Sequence, residues 1–229
     1  MSFYEDWYNC LENNEDDYYY VQAFLKKKDF TKRILNNGDS DQIALFCKLL
    51  LGYDLNKMIN IIDESFYNVL TPAMVIQFSS FENGTTKLVE LLYNKEDGMS
   101  YPDIGRSLAG SEELNAATKY GENHSKLARD FDLVNITDHK PTVVTITNFG
   151  KYFAFFDEKE KLKLLKILGL RDPLIQNLII KAKQGIVYYT DECNCLSEST
   201  KIRRRSNVKK LLGLILEEVD TSIMNNIIW

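Results

Sequence analysis

Histidine and cysteine are scarce in this 229-residue chain, two and four respectively, and that scarcity removes most metal chemistry. Cys193 and Cys195 form a lone C-x-C, and two thiols do not make a zinc site; His124 and His139 stand at no recognised ligand spacing. Cys10 and Cys47 sit in helical patterns, where a thiol serves as a small packing group. No metal or other cofactor is expected. No run approaches 18 apolar residues, and residues 1–8 carry acids where a leader would be basic and then apolar. The chain is therefore expected in the cytoplasm, without a membrane partner.

Glycine-rich phosphate loops and nucleophile elbows are missing too. A restriction-type nuclease needs clustered acids and a lysine at strand ends to hold Mg²⁺ and activate water. The alternating run Glu158, Lys159, Glu160 and Lys161, and the pair Glu90 and Lys95, fall instead in helical patterns. No catalytic residue is assigned.

What is present is apolar mass, 45% hydrophobic and 12% aromatic, enough for real cores. The formal charge of −5 is uneven: residues 1–97 hold 9 Lys+Arg and 16 Asp+Glu, and the remainder holds 19 and 17. This fits an acidic domain joined to a region that meets polyanions; scattered charges on an ordinary soluble protein explain it equally well.

Residues 1–80 read as helical throughout, starting with a segment in which Phe3, Trp7, Tyr8 and Leu11 share a face. A helix near Asp17–Lys28 places Tyr20, Val21 and Phe24 inward, with Lys26, Lys27 and Lys28 as a solvated terminus suited to the helix dipole. Asn36, Asn37 and Gly38 break the chain. Ser40 is expected to cap Asp41–Leu51, Gly52 to stop it, and Asp54 to cap a helix from Leu55 to about Val69, with Met58, Ile61, Ile62 and Phe66 on one side. Thr71 and Pro72 begin another helix, which Asn83 and Gly84 end.

The stretch Gly98–Phe153 carries the most organised pattern. Ser100 can cap a short helix through Ile104 and Leu108, and Ala109, Gly110 and Ser111 supply a turn. From about Glu112 to Phe131, Ala117, Tyr120, His124, Leu127, Ala128 and Phe131 recur at steps of three and four, giving one buried face. Leu133–Thr137 and Thr142–Thr147 alternate apolar and polar residues about the polar turn Asp138–Pro141. Thr147 is placed to cap a last helix through Phe149, Tyr152 and Phe153. With Thr85–Tyr93 as its first helix, this is a winged helix-turn-helix. His124 reads as a packed, hydrogen-bonded histidine, and Tyr120 and Glu122 fit structural and functional roles equally.

After Phe153 a charged helix, Glu158–Leu170, reads as a connector, and Asp172 with Pro173 begins an apolar helix that stops at Gly185. Ile186–Tyr189 is β-rich. Ser197 or Ser199 can cap a long helix whose buried stripe is Ile202, Val208, Leu211, Leu212, Ile215 and Val219. This suggests a second, diverged helix-turn-helix without a clear wing. The apolar tail Ser222–Trp229 must be covered by this protein or by a partner. The expected fold is mainly α: an acidic helical domain at 1–82, a winged helix-turn-helix at 83–155 with one β-hairpin wing, and a second helix-turn-helix-like unit at 156–229.

Tyr120, Gly121, Glu122, Asn123, His124, Leu127, Ala128 and Leu133, followed by a hairpin and the Thr147–Gly150 stretch, resemble winged-helix domains of bacterial type II restriction endonucleases and related defence proteins. The run Ser199, Thr200, Arg203, Arg204, Ser206, Asn207 and Val208 is similar to a companion helix-turn-helix in those proteins; an aromatic common after that valine is replaced by Leu211 and Leu212. The resemblance covers about residues 98–217. It implies a non-catalytic recognition protein for double-stranded DNA in a restriction or phage-defence system.

A helix fits the major groove, and cations near its start can meet phosphates or guanine edges. The residues expected to contact DNA are therefore Thr118, Lys119, Asn123 and Lys126, with His139 and Lys140 at the wing tip, and Lys201, Arg203, Arg204 and Arg205 in the second unit. Three successive arginines point about 100° apart around a helix, so one is free to pair with an acid such as Glu198. A nuclease or ATPase partner would dock on the amino-terminal domain, around Tyr18, Tyr19 and Tyr20, or on the tail. A transcriptional repressor, a winged-helix protein-interaction subunit without DNA, and an endonuclease with an unrecognised site are the alternatives.

Overall fold

Short polar side chains at helix starts set most of the chain's local structure, and a computed structural model describes the outcome for residues 17–75, 77, 80–110, 112–219 and 222–229. The expected face of Phe3, Trp7, Tyr8 and Leu11, together with Cys10 and Ser111, lies outside these residues. The chain is mainly helical. It gathers into two compact units, one within 1–34, 39–75 and 162–229, the other within 35–38 and 76–161. This division differs from the expected boundaries at 82/83 and 155/156.

In the first unit, α1 (Asp17–Leu25) ends three residues before Lys28, because Lys27 takes a left-handed φ of 51°. Helix α2 (Asp29–Asn37) follows. The cap of α3 (Ser40–Gly52) is Asp39 rather than Ser40: its carboxylate accepts from the Gln42 amide, and the Gln42 side chain returns a bond to the Asp39 amide, two mutual bonds that a serine one position later does not make. Asp54 caps α4 (Leu55–Ile61) as expected. That helix stops short of Val69 because Asp63 caps a separate 3₁₀ turn at Glu64–Phe66. Residues 71–75 form a turn, not the helix expected from Thr71.

The expected charged connector is α9 (Glu158–Gly169), whose residues 164–169 are buried. Lys166 is only 2% exposed and reaches Glu217 at 3.3 Å and Glu218 at 2.9 Å. Asp172 caps α10 (Pro173–Gln184), which supplies a continuous buried run, Leu174–Ile180. Then come β4 (Val187–Tyr188), α11 (Tyr189–Glu192), α12 (Glu198–Ile215), α13 (Ser222–Asn225) and β5 (Ile227–Ile228), which pairs parallel with β4. The tail is partly covered by its own chain: Ile223 and Ile227 are buried and Trp229 stacks on Tyr189 with centroids 5.7 Å apart, while Ile228 is 45% exposed.

Polar side chains of the carboxy-terminal helices close the backbone ends of the amino-terminal ones. Lys163 donates to the Leu51 carbonyl at 2.6 Å, Lys183 to those of Ile59 and Ile62 at 2.6 and 2.7 Å, and Arg171 to that of Phe24 at 3.2 Å. The carbonyls at helix ends need partners, and long cationic side chains supply them without bringing in water. Asn177 adds a reciprocal pair with the Asn68 backbone, at 2.9 and 2.8 Å. Bonds across more than a hundred residues explain why the carboxy-terminal segment does not form a body of its own.

In the second unit, a π-helical turn at Asn83–Lys87 runs into α5 (Leu88–Tyr93). Asn83 and Gly84 therefore begin a helix rather than end one: a Cβ on Gly84 would lie 2.6 Å from Leu127 Cδ2. Next come β1 (Met99–Ser100), α6 (Tyr101–Ala109), α7 (Leu114–Asp130), β2 (Val134–Ile136), β3 (Val143–Ile146) and α8 (Asn148–Phe155). Ser100 caps α6, and Gly110 ends it with a left-handed φ of 66°. Thr147 caps α8, accepting from the Gly150 amide at 2.9 Å and donating to the Asp132 carbonyl at 2.7 Å.

The hairpin pairs Val134 with Ile146 and Ile136 with Val144, and β1 adds to it in the antiparallel order β1-β3-β2. Two residues are too few to carry an alternation, so β1 has no sequence signal. Helices α6 and α7 meet at glycines: a Cβ on Gly105 would lie 1.9 Å from the Ala117 carbonyl oxygen, and one on Gly121 would lie 2.0 Å from that of Tyr101. The core of Leu88, Leu92, Ile104, Leu127, Phe131, Val144, Phe149 and Phe153 sits beneath.

Candidate nucleic-acid interface

Packing of Ala117, Gly121, His124, Leu127 and Ala128 inward leaves the opposite side of α7 to solvent. Asn115, Lys119, Lys126 and Arg129 are exposed there, and Glu122 and Asn123 are half-buried. Asn115 was not among the expected residues, although its spacing of four from Lys119 and seven from Glu122 places it on the same face. Lys119 and Lys126 both close on Glu122, at 2.7 and 2.5 Å. Those two hydrogen bonds hold the Glu122 carboxyl below its usual range. The cations are thus half-neutralised by a carboxylate at the centre of the face. Thr118 spends its hydroxyl proton on the Leu114 carbonyl at 2.6 Å, an intrahelical bond.

At the hairpin tip His139 and Lys140 are both exposed. Thr137 shapes that turn, accepting from the Val143 amide at 2.8 Å and donating to the His139 carbonyl at 3.4 Å. Six of the expected contacts, Thr118, Lys119, Asn123, Lys126, His139 and Lys140, thus belong to one unit. The sequence of that unit, 76–161, holds 10 Lys+Arg against 14 Asp+Glu.

The other four expected contacts lie on α12 in the first unit, where Val208, Leu211, Leu212 and Ile215 are buried as the expected stripe has them and only the first turn differs. Ile202, assigned to the buried stripe, is 65% exposed, while Lys201, assigned to DNA, is buried. Lys201 reaches Glu198 at 2.7 Å, and its carbonyl accepts from the Tyr189 hydroxyl at 3.2 Å. Arg204 donates to the carbonyls of Val75 and Pro72. Burial, then the neighbouring Arg203, lowers its pKa. Two of the four candidates are therefore turned into the protein, Arg204 to backbone carbonyls and Lys201 to Glu198. Arg203 and Arg205 are exposed.

His124 is buried, its ring centroid 4.3 Å from that of Tyr120, which accepts from the Asn83 side chain at 2.9 Å. Burial pushes the Cys47 thiol up to about 12 and the Cys193 thiol up to about 11, so both are unreactive at neutral pH. The alternating run at the start of α9 is held in ion pairs, Lys161 with Glu158 at 3.1 Å and with Glu90 at 3.6 Å. Among the described residues, no helix is long and apolar enough to cross a membrane. Comparison of the chain with family models, curated proteins and solved structures finds no match.

Proposed function

We propose that residues 76–161 form a winged helix-turn-helix that lays α7 in the major groove of duplex DNA, with the β2–β3 hairpin as its wing. The observation that carries this reading is the element order, helix, strand, helix, turn, helix and hairpin, with Asn115, Lys119, Asn123 and Lys126 on the free side of the last helix. A helix about 10–12 Å across fits a groove about 12 Å wide. Lys140 at the tip would reach an adjacent phosphate. The resemblance to restriction-endonuclease winged helices supports placing the chain in a restriction or phage-defence system, as its non-catalytic recognition component. Cleavage or ATP hydrolysis would reside in a separate polypeptide.

Anisotropy titrations of labelled duplexes at about 50 mM salt test this directly. Lys119→Ala combined with Lys126→Ala should weaken binding about tenfold or more, each lost phosphate contact weakening it on all sequences alike. Wild-type protein that shows no saturable duplex binding would refute the proposal. The excess of acids in 76–161 favours a second reading, in which the same α7 face docks a basic protein surface. Loss of duplex binding with retained capture of a basic partner through Glu122 would establish it.

A further inference from the structure

Arg203 and Arg205, left outside the duplex interface, belong to a face of α12 that the fold leaves open. Residues 199–216 hold six Lys+Arg and no Asp or Glu. Lys201 and Arg204 are turned inward, to Glu198 and to the Val75 and Pro72 carbonyls. Arg203, Arg205, Lys209 and Lys210 are exposed, and among the described residues none of them forms an ion pair. Lys209 lies 5.6 Å from the centre of the Trp229 ring.

Helical geometry gathers these four. At about 100° per residue with Ile202 at the origin, Arg205 and Lys209 fall at roughly −60° and −20°, and Ser206, Lys210 and Arg203 at roughly 40°, 80° and 100°. The buried Val208, Leu211, Leu212 and Ile215 occupy the remaining arc. Ile202 therefore stands near the middle of the open face, and it is 65% exposed. An ordinary solvated helix face mixes cations with carboxylates at spacings of three and four. Here Arg205 and Lys209 stand like-charged at a spacing of four, which disfavours an isolated helix.

We infer that this face docks a partner protein through an acidic amphipathic segment, whose apolar side chains cover Ile202 while its carboxylates meet the four cations. An apolar centre within a charged rim is the anatomy of a protein interface. Arginine adds a planar fork that holds a carboxylate through two parallel bonds. Duplex DNA fits less well, because a groove-reading helix leads with its amino-terminal end, where α12 carries Glu198 with its side chain 76% exposed. A bilayer surface also fits less well: an interfacial helix buries a broad apolar face, and Ile202 is the one apolar residue on this face beside Arg203, Arg205, Ser206, Lys209 and Lys210. The face lies in the first unit and shares no residue with α7, so it stands or falls independently of duplex binding.

Anisotropy titration of the full chain at about 150 mM salt tests it, since distant surface attraction is largely screened there. The probe is a labelled helical peptide of leucine and glutamate with its leucines on one face; the control carries glutamine in place of glutamate. Saturable binding of the probe is expected, with the control about tenfold weaker or more. Arg203→Gln with Lys210→Gln, and separately Ile202→Ser, should each lower affinity roughly fivefold without changing the unfolding midpoint, because these side chains are exposed. Lys119→Ala with Lys126→Ala should leave peptide affinity unchanged. Labelled duplex, and vesicles of phosphatidylserine and phosphatidylcholine, are titrated alongside. No saturation with the probe, equal binding of probe and control, or unchanged affinity in the folded variants overturns the inference. Variants that weaken duplex or vesicle binding while leaving the peptide untouched overturn it as well, and assign the face to nucleic acid or membrane.

Discussion

Acid should loosen the second unit through one side chain. His124 lies on the inner side of α7, fully buried against Tyr120, and burial lowers its pKa from 6.5 to about 4. The imidazole is therefore neutral in the fold, whereas in the unfolded chain it takes a proton as pH falls below about 6.5. Because the folded pKa is the lower one, stability is full above the unfolded value and declines as pH drops toward about 4. At 1.36 kcal/mol per unit the whole shift sets a ceiling of about 3 kcal/mol, of which roughly 2 should be lost between pH 7 and 4.5. Urea unfolding followed by tyrosine and tryptophan fluorescence across that range measures it. Carboxylates also titrate there, so the decisive quantity is the difference between wild type and His124→Gln. His139→Gln, altering the exposed histidine, should follow the wild-type curve. Parallel stability-pH profiles for wild type and His124→Gln would refute the reasoning.

Two further outcomes follow from close packing and from helix ends. Gly121→Ala would place a methyl 2.0 Å from the Tyr101 carbonyl oxygen, so α6 and α7 must separate; a loss of about 2–4 kcal/mol is expected in denaturant unfolding, and a change below about 0.5 would contradict the contact. Lys183→Met removes the donor that closes two carbonyls at 2.6 and 2.7 Å, and a loss of about 2 kcal/mol from the first unit is expected by thermal unfolding, with duplex binding by the second unit unchanged.

Much of the second unit was legible because its signals are local. The Ser100 and Thr147 caps, the left-handed stop at Gly110 and the alternation across the hairpin act within three or four residues, and each stands where the pattern put it. Strand β1 escaped because two residues hold no period, and the crossing of α6 on α7 escaped because Gly105 and Gly121 look like ordinary helix imperfections until the facing carbonyls are known. The first unit was less legible. An Asp39 cap displaced the equally plausible Ser40, and in the first turn of α12 Lys201 is buried in place of Ile202, while Val208, Leu211, Leu212 and Ile215 stand in the core as expected. Burial in that first turn is decided by partners distant in the chain, the Val75 carbonyl for Arg204 and Tyr189 for the Lys201 carbonyl, which helical periodicity cannot see.

The same long-range partners change what the charge asymmetry means. Residues 98–229 look basic as a string, yet Lys163, Lys183, Arg171 and Arg204 are turned to backbone carbonyls, and Lys166 and Lys201 to carboxylates. Cations committed in this way hold helices together and offer little to a polyanion. On the α7 face and hairpin tip the exposed Lys and Arg are Lys119, Lys126, Arg129 and Lys140, and the first two share Glu122. Duplex binding by this unit should then release few counterions: with at most about four phosphates neutralised by these side chains, the slope of log affinity against log salt is no steeper than about −4. Raising salt from about 50 to 200 mM would weaken binding by about 150-fold at most. A slope near −6 or steeper would require phosphate contacts from side chains that the fold directs inward, and the assignment of the interface to α7 and the hairpin would have to be abandoned.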